Sequence, residues 1–175
     1  MVEYQAKDRL QPSLLDRLTD HHPEERHESA DERILSRQQL RGAVLRDLTW
    51  LFNTTRPEPE PASTRRRELE LWNSHLHARN SVLNFGLPAF AGTTKSTLNR
   101  AVMEAAIKHA IAVFEPRIDA KTLVVELRVG AKAQYNALRL TIRGNMWSQP
   151  MPLEMMVTAD VDLETGHAQM RDLRK

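Results

Sequence analysis

Seven histidines, a scatter of glutamates and one Glu-Pro-Arg triplet are the side chains here whose types could do chemistry. His21, His22 and His27 lie close in sequence, and His75 and His77 stand one residue apart, so a metal site is the first question. The first three fall in a polar stretch with no framework to fix ligand directions, and the second pair would point about 200° apart on a helix. No metal site is expected from either group. His109 sits in an apolar helical segment and reads as a partly buried, hydrogen-bonded histidine. Glu104, Glu115 and Glu126 offer carboxylates, but acid–base work needs two acids held a few ångströms apart with one of them desolvated, and nothing in their spacing arranges that. The chain has no G-x-S-x-G elbow, phosphate-binding glycine loop, dinucleotide fingerprint or H-E-x-x-H helix. It has no cysteine either, which removes disulfides, thiolate ligands and thiol nucleophiles together. The expectation is a binding or structural protein with no cofactor, not an enzyme.

Binding chemistry is better represented. In Glu115-Pro116-Arg117 the proline stops a helix, and one reading is a helix end with a local ion pair. The other is a rigid corner from which Glu115 and Arg117 project as a docking handle, the guanidinium giving planar recognition of a carboxylate. Arg65, Arg66 and Arg67 stand beside Glu68 and Glu70 and read as a solvated helix start. Trp50 and Trp72 are expected to pack, whereas Trp147 falls in a turn and is a candidate contact anchor. Nucleic acid is not indicated: net charge is +2, residues 1–80 carry 13 basic and 14 acidic side chains, and residues 81–175 carry 12 and 9. The nine aromatics are not interleaved with bases. No apolar run is long enough for a membrane span or a secretory signal, so a soluble, cytoplasmic protein is expected.

The elements that must position these groups follow from periodicity. Pro12 and the apolar Leu14, Leu15 and Leu18 predict a short amphipathic helix, too short to stand alone in water, followed by a polar linker to about Arg33. Residues 1–33 are therefore set apart from a domain spanning 34–175. From Ile34 to Phe52 the positions Leu40, Val44, Leu48 and Leu51 form one face of a helix. The proline-interrupted connector 56–64 reads as extended, mobile and outside the core, and a weaker helix follows through Trp72 and Leu76. Residues 81–92 make a buried turn around Gly86 and Pro88. Ser96 is expected to cap a helix over 97–114 whose wide apolar stripe implies burial on more than one side. Beyond Pro116 the period changes to two: Leu123, Val125, Leu127 and Val129, then Leu138, Leu140 and Ile142, then Leu153, Met155, Val157, Ala159 and Val161. Turns are expected over 130–136, 144–152 and 164–166, with a short last strand over 167–170. The fold class is α+β, a helical N-terminal half packed on an antiparallel sheet of three to four strands.

In this order the pieces LLDRL (14–18), LRGAVLRDLTWLFNTT (40–55), SVLNFGLPAF (81–90) and FEPRI (114–118), with alternating strands after them, resemble the TssE family. These are gp25-like baseplate subunits of bacterial type VI secretion systems, similar to a phage wedge protein that initiates the tail sheath. Phe85 stands where tyrosine is usual, and the connector is longer than usual. The resemblance implies a non-enzymatic wedge subunit bound to TssK, TssF and TssG, from which the TssB–TssC sheath starts. It places the docking motif on Glu115, Pro116 and Arg117. A sheath strand would then add to a sheet edge, for which the region from Leu153 to Met170, with Met155, Val157, Ala159 and Val161 near that edge, is the expected place, while Leu14, Leu15 and Leu18 would make a second contact. Two other readings stand beside this one: a regulatory anti-adaptor-like binding protein, and a lysozyme-like hydrolase using Glu115 or Glu104.

Overall fold

The computed structural model describes residues 13–19, 23–24, 36–59, 64–90, 99–129, 137–147 and 151–174. Helix α1 (Leu14–Leu18) starts at a capping box, in which Asp16 and Ser13 exchange backbone and side-chain hydrogen bonds. Helix α2 (Arg37–Phe52) starts the same way: the Gln39 amide donates to Ser36 Oγ at 3.2 Å and the Ser36 amide to Gln39 Oε1 at 2.8 Å. The face expected from the sequence is the buried one, with Leu40, Val44, Leu48, Leu51 and Phe52 in the core. Each such side chain contributes about 1.5–3 kcal/mol of transfer free energy, so α2 is fastened by its stripe rather than by helix propensity.

After Asn53 the chain does not drift away. Thr55 bridges Leu87, with the Leu87 amide donating to Thr54 O at 2.8 Å and the Arg56 amide to Leu87 O at 3.0 Å. Gly86 makes that approach possible: its φ is +126°, and a Cβ there would lie 2.5 Å from Thr54 O. The connector departs from expectation, because Glu58 and Pro59 are buried. Glu58 accepts from Arg79 Nη2 and from Asn84 Nδ2, both at 2.8 Å, so a charge that reads as solvated is neutralised inside.

Helices α3 (Arg66–Ser74) and α4 (Leu76–Arg79) lead through a 3₁₀ turn (Val82–Asn84) to the buried Leu87, Pro88 and Phe90. Helix α5 (Arg100–Phe114) is capped by Asn99, which accepts from the Val102 amide; Ser96 lies outside the described residues. Only Ile107, Ala110 and Ile111 of α5 are fully buried and Val102 is exposed, so the stripe is covered on one side, not several.

Strands β1 (Val124–Val129), β2 (Ala137–Met146), β3 (Leu153–Asp162) and β4 (Ala168–Asp172) form an antiparallel meander in sequence order. The register aligns Leu127, Leu140, Ala159 and Met170 across the sheet, and Val125, Ile142 and Val157 beside them, on the face that meets α2 and α5. The opposite face is polar, with Arg139 Nε on Asp160 Oδ1 at 2.7 Å. β2 runs on to Met146, through a glycine that read as a turn: a Cβ at Gly144 would lie 2.8 Å from Ile118 Cγ2, so the residue is small to let the chain before β1 pack against it. The fold is α+β, as its periodicities imply. Among the described residues no helix is long and apolar enough to cross a membrane.

Candidate functional site

The corner between α5 and β1 is where charge concentrates. The Glu115 amide closes α5 by donating to Ile111 O at 2.8 Å, Pro116 prevents another turn, and the Ile118 amide turns back to Glu115 O at 3.2 Å. The Trp147 amide then donates to Arg117 O at 3.1 Å, tying the corner to the end of β2. This geometry sends Glu115 inward, leaving it 2% exposed. Arg117 folds back over it: its Nε donates to Glu115 Oε1 at 2.7 Å, its backbone amide reaches the same oxygen at 3.2 Å, and its Nη2 donates to Oε2. Asp47 on α2 accepts from the same Nη2. Burial alone would lower the Arg117 pKa, but Glu115 and then Asp47 outweigh it and hold the guanidinium more firmly charged.

Further charges reach this corner from α2 and from α1. Arg46, beside Asp47 on α2, donates from Nε to Asp47 Oδ1 at 2.9 Å and from Nη1 to Asp16 Oδ1 at 2.7 Å, and lies 5.4 Å over the ring of Trp50. Asp16 also accepts from Ser13 Oγ at 2.6 Å, and its other reach is toward Arg117 Nη1 at 3.9 Å. Burial would raise the Asp16 pKa; the Ser13 hydroxyl and Arg46 together hold it below the usual carboxylate range. Helix α1 thus faces the body with its aspartate, while Leu14 and Leu18 are 72% and 74% exposed and Leu15 41%.

A family model described as baseplate wedge protein gp25 matches residues 38–151. The chain belongs to the gp25 baseplate wedge family, which is the family of TssE. No curated protein and no solved structure matches it. The gp25 match spans α2, the charged corner, β1 and β2, and leaves α1, β3 and β4 outside it. The gp25 family is structural.

Against that gp25 frame, the residues singled out in the sequence fall into three places. Glu115, Pro116 and Arg117 form the corner, but Glu115 does not project; Pro116 is exposed and the Arg117 side chain is 20% exposed. Leu14, Leu15 and Leu18 share the exposed side of α1. Met155, Val157, Ala159 and Val161 need correcting within the expected region 153–170: all four are buried and β3 is an interior strand, paired with β4 along Val157–Val161, so the edge of that region is β4 and not β3. The edges belong to β1 and β4. On β1 the Leu127 amide is taken by Glu104 Oε1 at 2.7 Å. On β4, Asn53 stands in for a neighbouring strand at one position: the Ala168 amide donates to Asn53 Oδ1 and Asn53 Nδ2 donates to Ala168 O, both at 3.0 Å.

The remaining candidates are dispersed. Glu104, Glu115 and Glu126 are each engaged by an arginine, Arg100, Arg117 and Arg128 respectively. A cleft of about 260 Å³ between Phe52–Thr55, Leu87–Phe90 and Thr165–His167 is lined by none of them. His109 is exposed, with Nε2 3.3 Å from Asn80 Oδ1, and Trp50 is exposed rather than packed. His21, His22 and His27 lie outside the described residues, and among the described residues no group of histidines and carboxylates could hold a metal ion. Sequence reasoning missed Asp47 and Asp16 as partners of Arg117, and Arg46 as the second cation that those two carboxylates share. The Ser13-x-x-Asp16 capping pattern and the charged Arg46-Asp47 pair beside the apolar face of α2 were the available signs.

Proposed function

We propose that this gp25-family chain is a type VI secretion baseplate subunit of the TssE kind, docking on a wedge core of TssK, TssF and TssG and starting the TssB–TssC sheath. The family match carries the reading, and the exposed residues agree with it. Docking at Glu115–Arg117 uses Pro116 and the open side of Arg117, with Glu115 as the inward brace that fixes them. The leucines of α1 are a second contact, since three large apolar side chains are left to water on one short helix. A sheath strand is expected at β4 rather than β3. Ala168 turns both its main-chain groups away from β3, and by antiparallel alternation Met170 and Asp172 do the same, which is the template for strand addition. On this reading the chain binds other proteins in the cytoplasm, where a baseplate of this kind assembles.

Co-expression with TssK, TssF and TssG, followed by size-exclusion chromatography and native mass spectrometry, tests it. The wild-type chain should co-elute with the wedge subunits, and a Leu14→Ser/Leu18→Ser variant should keep its fold and lose part of that complex. A chain that elutes alone rejects the reading.

A further inference from the structure

We propose that Arg46 and Arg117 form a carboxylate-binding site, closed in the free chain by its own Asp16, that opens to an acidic side chain of a docking partner. The proposal rests on the wedge-docking reading and adds a chemistry and a competitor to it.

Three observations carry it. The site is short of acceptors: Arg117 Nη1 and Arg46 Nη2 are buried and have no hydrogen-bond partner among the described residues, although Asp16 Oδ2 lies 3.9 Å from the first. A guanidinium presents its donors as a planar fork, and a carboxylate placed squarely on Nη1 would complete what Asp16 approaches from the side. Secondly, Asp16 is thinly held. Its helix has five residues, its three leucines are exposed, and among the described residues the ion pairs that reach from it to the body are those of Asp16. A helix that short has no stability of its own, so the occupant leaves when its ion pairs are replaced. Thirdly, the corner does not need it. Arg46 and Arg117 already face Asp47 and Glu115, two charges against two, and Asp16 adds a third carboxylate. Exchanging Asp16 for another carboxylate conserves that balance, whereas exchanging it for a basic or neutral group does not. An acidic partner side chain therefore competes with Asp16, and its arrival frees α1 together with the leucines it carries.

The test uses full-length chains and hydrogen exchange of the amides of residues 15–19. Asp16→Asn keeps the capping shape and removes the charge; Arg46→Gln removes the receiving side from α2. Each alone should speed exchange at 15–19 about tenfold, with the sheet amides unchanged, and the double variant should go no further than the faster single one. Unchanged exchange in Asp16→Asn, or effects that multiply in the double variant, would overturn the closure. The second arm measures affinity for the co-purified TssK–TssF–TssG subunits. Asp16→Asn should bind more tightly than wild type, because its competitor is gone, and equal or weaker binding would overturn the competition. If neither chain binds, the wedge partner is wrong while the exchange result still decides the closure.

Discussion

Glu115 and Asp16 serve the same guanidinium with opposite commitments. Glu115 is two residues from Arg117, 2% exposed, and grips it through both carboxylate oxygens and the backbone amide. Asp16 arrives from a separate five-residue helix and stands 3.9 Å away, with Arg46 as its closer partner. Geometry decides which contact is structural. A buried charge whose partner is removed has no water to replace it, while a peripheral one exchanges its partner for solvent at little cost. The corner is thus part of the fold and α1 is an attachment to it.

The largest effect should come from breaking the corner. Arg117→Ala leaves Glu115 buried beside Asp47 with no cation between them, and loss of one member of a buried pair costs about 3–5 kcal/mol. For a domain of this size that is a fall of about 6–20 °C in Tm, to be read by thermal denaturation monitored by circular dichroism. Arg117→Ala consequently cannot report on docking alone, since it would weaken assembly through the fold. A melting point within about 2 °C of wild type would move Glu115–Arg117 from the structural side of the comparison to the peripheral one.

Asp47 lies between the two extremes, linking Arg46 to Arg117 with its side chain 26% exposed. Asp47→Asn should cost about 1–3 kcal/mol, the range for losing a charged hydrogen-bond partner that water replaces in part. Urea unfolding should show the midpoint shifting with the slope unchanged, because the same surface is buried before and after. A loss as large as that of Arg117→Ala would make Asp47 a member of the brace.

These ranks were not readable from the sequence, and the reason is physical. Periodicity is a local property, so the apolar faces of α2 and the three alternating strands could be read from residues three, four or two apart. Pro116 announces the corner for the same reason, since its missing amide acts within one turn. The partner of Arg117 across the core is Asp47, 70 positions away, and no pattern in either segment names the other. The same holds for Glu58, whose connector looks solvated until Arg79 and Asn84 are brought to it. Strand alternation showed which side chains of β3 face inward but not that β4 covers its edge, because sheet order is a pairing of distant segments. What the sequence left open about the site is therefore its non-local half.

The smallest effect is on α1, and acid separates it from everything larger. Asp16 has a carboxyl held below the usual range, so its ionised form favours the attached state. A depressed pKa contributes stability that is complete above the ordinary carboxylate value and is lost as pH falls through the lowered one. The amide resonances of Leu15 to Thr19 should therefore hold their positions from about pH 8 to pH 5 and move toward those of Asp16→Asn only below about pH 4. Salt should act in the same direction at neutral pH. The Arg46 side chain is 34% exposed, and raising ionic strength from about 0.1 to 1 M shortens the screening length from about 10 to 3 Å. The resonances of Asp16→Asn should ignore that change, because the charge that salt screens is already missing. Should both chains respond alike to salt, α1 is held by something other than Asp16, and the contrast between a built-in brace and a removable occupant loses its second half.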